Sequence, residues 1–438
     1  MIDYEQRFAL RVGRLFQGKS ESVVDDGVVI VDDGRIHHVG PFQELSEQLP
    51  PQVVSLPNAT LLPGLIDAHI HMTLAGDRRT YEEMMLEPDE MLTLVGVSNL
   101  EKHLASGVTT VRDNGGRNGT TFWVREAARR GYIAAPRMLL SGRPLTPSGG
   151  HFHWCNGVAD GAEEIRRTVR KLVSEGADHI KIMASGGGTE GIPPHQSTYS
   201  SDELGVAVRT AHDFGKPTTA HCRAKSSMIR SLDAGMDCIE HGEFLIDAPL
   251  QDLGHGIARA GRMEYDPAVT DRMLETETFL SFTMQAGGYD TLVALRDKLG
   301  RGESLRKNET AQRDALEKYF EMKLQIFSKL LEDGMRSRMV VSSDAGPFDA
   351  TFGRLHWSLG LAVEAGMTPV QALLSVTEVA ARACGVDSEV GRIEPGKKAD
   401  LLVVEGDPTA EIAQIADVKA VFLEGRLVAP DHVDGNLS

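Results

Sequence analysis

The sequence predicts an α/β fold: a (β/α)8 TIM-type barrel with a small β-sandwich domain formed from both chain termini. Three observations carry this expectation. Between residues 61 and 387, short apolar strands alternate with longer amphipathic stretches, the pattern of repeated βα units around a parallel sheet. Eight such strands can be counted, the number that closes a barrel. Both ends of the chain read as β structure instead, so residues 1–60 and 388–438 are expected to pair as one composite domain flanking a barrel of residues 61–387. At roughly 150 residues per domain, a chain of 438 residues has room for a large barrel and a small companion.

The N-terminal strands are marked by RVGRLFQG (11–18) and by VVIVDDGRIHHVG (28–40), where Asp-Asp-Gly between apolar runs signals a hairpin. The barrel strands are LIDAHIH (65–71), VTTVRD (108–113), RMLLSG (137–142), HIKIMAS (179–185), PTTAHC (217–222), CIEHG (238–242), FLSFTM (279–284) and MVVSSD (339–344). Helical stretches at 91–107, 163–176, 201–215 and 303–334 fill the gaps, several ending in Gly as a C-cap. Ser200-Ser201-Asp202-Glu203 has the form of an N-terminal capping box. The charged stretch 303–333 reads as a solvated or oligomer-facing helix. The chain returns to strands in GRIEPGKKADLLVVEGD (391–407) and VKAVFLEGRLV (418–428).

Composition bounds the function. Hydrophobic residues at 41% and charged residues at 25% describe a globular chain with a large core. A net charge of −17 repels phosphate backbones and argues against a nucleic-acid partner. Four scattered cysteines with no Cys-x-x-Cys pair fit a reducing compartment. No apolar run approaches ~18 residues and the N-terminus has no apolar h-region, so a cytoplasmic location with no membrane partner is expected.

Chemistry concentrates at the strand ends. His69 and His71, two apart on the first barrel strand, point to the same side, as two ligands of one borderline metal would. Strand 5 ends on His221, strand 6 on His241 and strand 8 on Asp344, while strand 4 places Lys181 in an otherwise apolar run. All six lie near the C-terminal ends of strands, the face on which this fold builds active sites. His151 and His153 follow strand 3 in SGGHFH, Arg223 follows His221 by two, and Tyr199 follows strand 4. His103, His179, His212 and His356 read as helical or outward-facing, with structural or surface roles.

With PGLIDAHIH, the strand-4 lysine, AHC, IEHG, SSDAG and GRIEPGKKADLLVVEGD on the page, the chain resembles the amidohydrolase superfamily over nearly its whole length. GADHIKIMASGGG and SGRPLTPSGGH are most similar to the branch holding imidazolonepropionase-like proteins and metal-dependent Xaa-Pro dipeptidases (prolidases). The resemblance implies His69, His71 and Asp344 on one metal, His221 and His241 on a second, and a carboxylated Lys181 bridging the two. It implies His151 as a substrate contact and a homo-oligomeric assembly. Arg223 departs from the His-Ala-His-Gly often found here. Its planar fork suits a substrate carboxylate or a neighbouring acid; His153 and Tyr199 are weaker substrate-binding candidates.

Elementary chemistry points the same way. Burial among cations favours a neutral lysine amine, which adds CO2 to give an anionic carbamate with an oxygen for each of two divalent ions. Zn2+ is expected, with Mn2+ or Co2+ also compatible. A metal-bridging hydroxide would attack an amide carbonyl, and Asp344 would act as the catalytic proton shuttle to the leaving nitrogen. The expected function is hydrolysis of amide or peptide C–N bonds in a small, carboxylate-bearing substrate, as by a dipeptidase or an N-acyl amino acid amidohydrolase. Two alternatives stand beside it: a mononuclear hydrolase or deaminase of a cyclic amide or amidine, and a barrel scaffold without catalysis.

Overall fold

The computed structural model describes residues 7–248 and 261–429, and the backbone of a short strand at 436–437. The chain opens with β1 (Phe8–Phe16), β2 (Val23–Asp32), β3 (Arg35–Pro41) and β4 (Gln52–Pro63). Asp33 and Gly34 join β2 to β3 with φ of 48° and 71°, the double left-handed turn whose twist suits a two-residue hairpin.

All eight strands expected for the barrel are present. They are β5 (Leu65–Ile70), β6 (Val108–Asp113), β7 (Arg137–Leu140), β8 (Ile180–Met183), β9 (Thr218–Ala224), β10 (Cys238–Ile246), β12 (Phe279–Thr283) and β13 (Met339–Ser342). A two-residue β11 (Arg262–Met263) adds antiparallel to β10. The eight run parallel in two sheets, β5-β6-β7 and β8-β9-β10-β12-β13. Both seams carry a parallel bridge, Leu145 to Ile182 and Ile70 to Ala345. The arrangement is a TIM-barrel-like α/β fold.

Strand patterning explains the packing. Ile180 and Ile182 join the main core with Ile165, Val169 and Leu172 of the helix Gly161–Ser174. Each such fully buried aliphatic side chain is worth about 1.5–3 kcal/mol. Ser200 and Glu203 form a reciprocal capping box at the helix Ser201–His212. The helix Lys307–Glu332 corrects the expectation of a solvated element. It buries Leu316, Phe320, Ile326, Phe327 and Leu330, and carries Tyr319 and Lys323 on that same buried face.

The chain ends share one sheet. β14 (Leu401–Glu405), β15 (Val418–Leu423) and β16 (Arg426–Ala429) extend it in the order β16-β15-β14-β4-β1-β2-β3, and β17 (Asn436–Leu437) pairs with β4. The sheet curls strongly. Phe8 of β1 stacks on Phe422 of β15 with centroids 5.7 Å apart, although β4 and β14 lie between their strands. Parts of the expected composite unit, residues 1–6, 430–435 and 438, lie outside the described residues. No described helix is long and apolar enough to cross a membrane.

Candidate active site

The residues singled out at the strand ends are brought together. His69, His71, Lys181, His221, His241 and Asp344 are all buried. His241 and Asp344 have φ of 69° and 57°, a left-handed conformation that costs non-glycine residues energy and recurs at functional sites. Asp344 is fixed by backbone pairing across the seam, its N–H donating to the carbonyl of His69.

Hydrogen bonds fix the imidazole nitrogens that face inward. His71 Nδ1 lies 3.1 Å from the carbonyl of Gly115 and so carries the proton, leaving the Nε2 lone pair 3.7 Å from Asp344 Oδ1. His221 Nε2 lies 3.1 Å from the carbonyl of Gly186, which leaves Nδ1 as the lone pair facing His241 Nε2 at 2.8 Å. His241 Nδ1 meets Thr283 Oγ1 at 2.9 Å. His69 Nε2 is 3.3 Å from Asp344 Oδ1, yet neither atom makes a hydrogen bond among the described residues. Buried polar atoms are rarely left so. Inward-facing imidazole lone pairs beside an orphaned carboxylate oxygen are the donor set of a divalent cation. Ligand atoms of His69, His241 and Asp344 all lie within 4.8 Å of one another.

Electrostatics agree with that donor set. Burial, reinforced by Lys181, lowers the pKa of His71 to about 3. Burial likewise drives His69, His221 and His241 well below the ordinary histidine range, so all four rings are neutral. Lys181 is fully buried, with its Nζ against Oε2 of Glu240. Burial lowers the pKa of Lys181 and raises that of Asp344.

Above these groups opens a cavity of about 390 Å3, lined by His71, His221, His241 and Asp344 together with His151 and Arg223. Arg223 Nε donates to Glu243 Oε2 at 2.7 Å, and its Nη2 approaches the Tyr319 hydroxyl at 3.5 Å. His153 and Tyr199 do not line this cavity. His153 Nδ1 turns to the carbonyl of Gly150, and the Tyr199 hydroxyl donates to the carbonyl of Ala159. His179, expected in a helical or outward position, is instead buried on the inner face, with Nε2 3.2 Å from Asn114 Oδ1. It sits two residues before Lys181 and therefore shares its side of the strand.

Several groups at the site were not found from sequence. Glu240 contacts both His69 and Lys181. Glu243 accepts the Tyr319 hydroxyl at 2.8 Å, and Lys323 stands 3.9 Å from the same carboxylate. Tyr81 and Phe348 form an aromatic wall, centroids 5.0 Å apart, on the cavity's apolar side. One signal was available: Lys323 interrupts the apolar stripe of its helix, where a cation has no reason to sit unless something faces it.

Neutral imidazoles and an acid at the C-terminal strand ends of a TIM-barrel-like α/β fold define a class of hydrolases that work from that face. The chain belongs to the amidohydrolase family, which matches residues 60–428, and it is a hydrolase of carbon–nitrogen bonds. Ochratoxinase of Aspergillus niger is 25% identical over 441 residues, covering 93% of this chain and 83% of that protein. Imidazolonepropionase of Rhizorhabdus wittichii is 26% identical over 436 residues, covering 90% and 92%. A prolidase crystallised with N-methylphosphonate-L-proline superposes with a TM-score of 0.78 at 25% identity, covering 97% of this chain and 99% of that one.

Proposed function

We propose that the protein is a binuclear metal-dependent hydrolase of amide or peptide bonds in small carboxylate-bearing substrates, a dipeptidase or an N-acyl amino acid amidohydrolase. The observation that carries this reading is the gathering of His69, His71, Lys181, His221, His241 and Asp344, from five different strands, beside one cavity that Arg223 also lines. His69, His71 and Asp344 would hold one ion, and His221 and His241 the other. Lys181, with its amine kept neutral by burial, would bridge them as a carbamate. Divalent ions bound there, Zn2+ or its close equivalents, would supply an acidified water and polarise the scissile carbonyl.

The chain's own groups do the rest. Asp344 has a pKa raised by burial, so it accepts a proton from the attacking water and returns it to the leaving nitrogen. Arg223, held by Glu243, receives the substrate carboxylate, and His151 contacts the substrate beside the ligands. The chemistry supports a water-poor pocket because Tyr81 and Phe348 wall one side. The architecture consistent with this reading is a closed barrel of residues 61–387, with 1–60 and 388–438 forming one sandwich domain. Prolidase and ochratoxinase among the similar proteins favour the same substrate class.

The compact His69–His241–Asp344 group favours a second reading, a one-ion enzyme opening a cyclic amide. Metal analysis separates the two: about two ions per chain supports the first, about one the second. The direct test is a screen of dipeptides and N-acyl amino acids on metal-loaded protein, with Lys181→Ala alongside. Full hydrolysis by Lys181→Ala with two ions retained rules out Lys181 as the bridge, and a wild type that holds only one ion rules the binuclear reading out.

A further inference from the structure

The loop after β8 holds a contact whose consequence lies in the neighbouring ring rather than in the metal ligands. Thr189 is buried, and its hydroxyl oxygen lies 2.9 Å from Nδ1 of His151. The backbone N–H of Thr189 also donates to the same Nδ1, at 3.3 Å. A backbone N–H can only donate, so this Nδ1 is an acceptor and carries no proton. The Thr189 oxygen accepts the N–H of Phe152 at 3.4 Å, which leaves its own hydrogen free to be the second donor to Nδ1. An imidazole whose Nδ1 accepts a hydrogen bond cannot be the doubly protonated cation, so its one ring N–H is at Nε2.

His151 lines the cavity, and its Nε2 makes no hydrogen bond among the described residues. The ring lies beside the ligands, 4.8 Å from the ring of His221, and against Tyr81 at 5.4 Å. Gly187, on the same loop, gives it room: a Cβ there would stand 2.4 Å from His151 Cδ2. One loop therefore supplies both the space for the ring and its tautomer.

We infer that Thr189 is a positioning residue, locking His151 as the Nε2–H tautomer so that it donates a hydrogen bond to the scissile carbonyl oxygen as negative charge develops there. The inference rests on the amide-hydrolase reading above. A donor preset towards the oxyanion needs no rearrangement when charge appears, which is where such groups act most strongly. Without the Thr189 hydroxyl, Nδ1 retains only the longer backbone bond, and the ring is free to exchange tautomers or turn.

The test is nitrogen NMR of zinc-loaded, 15N-histidine-labelled protein, with the His151 signals identified by their loss in His151→Gln. The wild type is expected to show His151 Nδ1 unprotonated and Nε2 protonated. Thr189→Val is expected to weaken that signature and lower kcat about tenfold with KM nearly unchanged; Thr189→Ser is expected to restore both. A protonated Nδ1 in wild type overturns the inference, as does a Thr189→Val protein with unchanged spectrum and kcat, or a serine variant as impaired as the valine one. The wrong tautomer with amide hydrolysis intact defeats this inference alone. The expected tautomer in a wild type that hydrolyses no amide defeats the functional reading beneath it, and with it the role given to His151.

Discussion

Nδ1 of His69 lies 3.3 Å from Oε2 of Glu240, and neither side chain has any exposure to solvent. The second oxygen of Glu240 meets Arg112 at 3.4 Å, so the carboxylate is itself anchored. A carboxylate that accepts from a histidine's rear nitrogen holds the far nitrogen forward and makes it a better ligand; Glu240 stands within that reach of His69, although the pair falls short of hydrogen-bond geometry. Here the far nitrogen is the His69 Nε2 that approaches Asp344 Oδ1.

Glu240→Gln is therefore expected to weaken metal retention by about 10–100-fold, the usual cost of losing such a support. Titration of metal-loaded wild type and variant with a chelator measures it, and equal retention in the two proteins would falsify the role assigned to Glu240. Arg112 loses its charged partner in this variant, so the unfolding temperature is expected to fall as well.

Why Glu240 escaped sequence reading while His241 did not is a matter of backbone geometry. Strand alternation places adjacent side chains on opposite faces, so an inward His241 implies an outward Glu240. The left-handed φ of His241 breaks that alternation, and the pairing of β10 with β9 shifts register just after it. Both side chains then face inward. The eight strands were legible because each is a short run bounded by turn residues, and His69 and His71 because two ligand-type residues two apart stand at the end of β5, although its pairing with β6 shifts register there. Tyr319 and Lys323 were hidden for another reason. Their helix is densely charged, and its site-facing stripe emerges only once the packing against Phe282 and Glu243 is known.

Arg223 makes a prediction about substrate charge. Its Nε is committed to Glu243 and its Nη2 leans on Tyr319, while Nη1 makes no hydrogen bond among the described residues. Arg223→Met is expected to raise KM for a free-carboxylate substrate by about 10–100-fold, the scale of a charge-assisted hydrogen bond. The C-terminally amidated analogue should be hydrolysed equally by both proteins. Kinetics on that substrate pair decide the point; equal losses on both substrates would remove the carboxylate from Arg223. The variant should also melt several degrees lower, since among the described residues buried Glu243 keeps Tyr319 and Lys323 but loses its closest cation.

Lys323 makes a prediction about pH. Burial lowers its pKa to about 8, against the pull of Glu243 and with a further push from Arg223. In the unfolded chain a lysine titrates near 10.4. Below about pH 8 it is charged in both states, and the folded protein bears the full desolvation cost. Between about pH 8 and 10.4 the unfolded chain binds more protons, so this residue's contribution to stability rises with pH. Lys323→Met lacks that gain. Its stability relative to wild type should fall steadily across this window in urea unfolding at pH 7.5, 8.5 and 9.5, and a pH-independent difference would refute the assignment.

Gly188 sets the width of the cavity's aromatic side. A Cβ at this position would stand 2.6 Å from Tyr81 Cε2 and 3.0 Å from Phe348 Cε2, closer than side chains tolerate. Its φ lies outside the left-handed region, so the obstacle is space alone. Tyr81 is packed edge-to-face with His151, Phe152 and Phe348, which leaves the rings little freedom except towards the opening. Gly188→Ala is expected to cost about 1–3 kcal/mol of stability, the range for overpacking, and to push Tyr81 and Phe348 into the space a substrate uses. The loss in kcat/KM should grow with the bulk of the substrate's apolar side chain, small for alanine-containing dipeptides and at least tenfold for phenylalanine-containing ones, by the same steric logic that governs hydrophobic pockets. A uniform loss across that series would show that the alanine acts through the ligand cluster rather than through the wall.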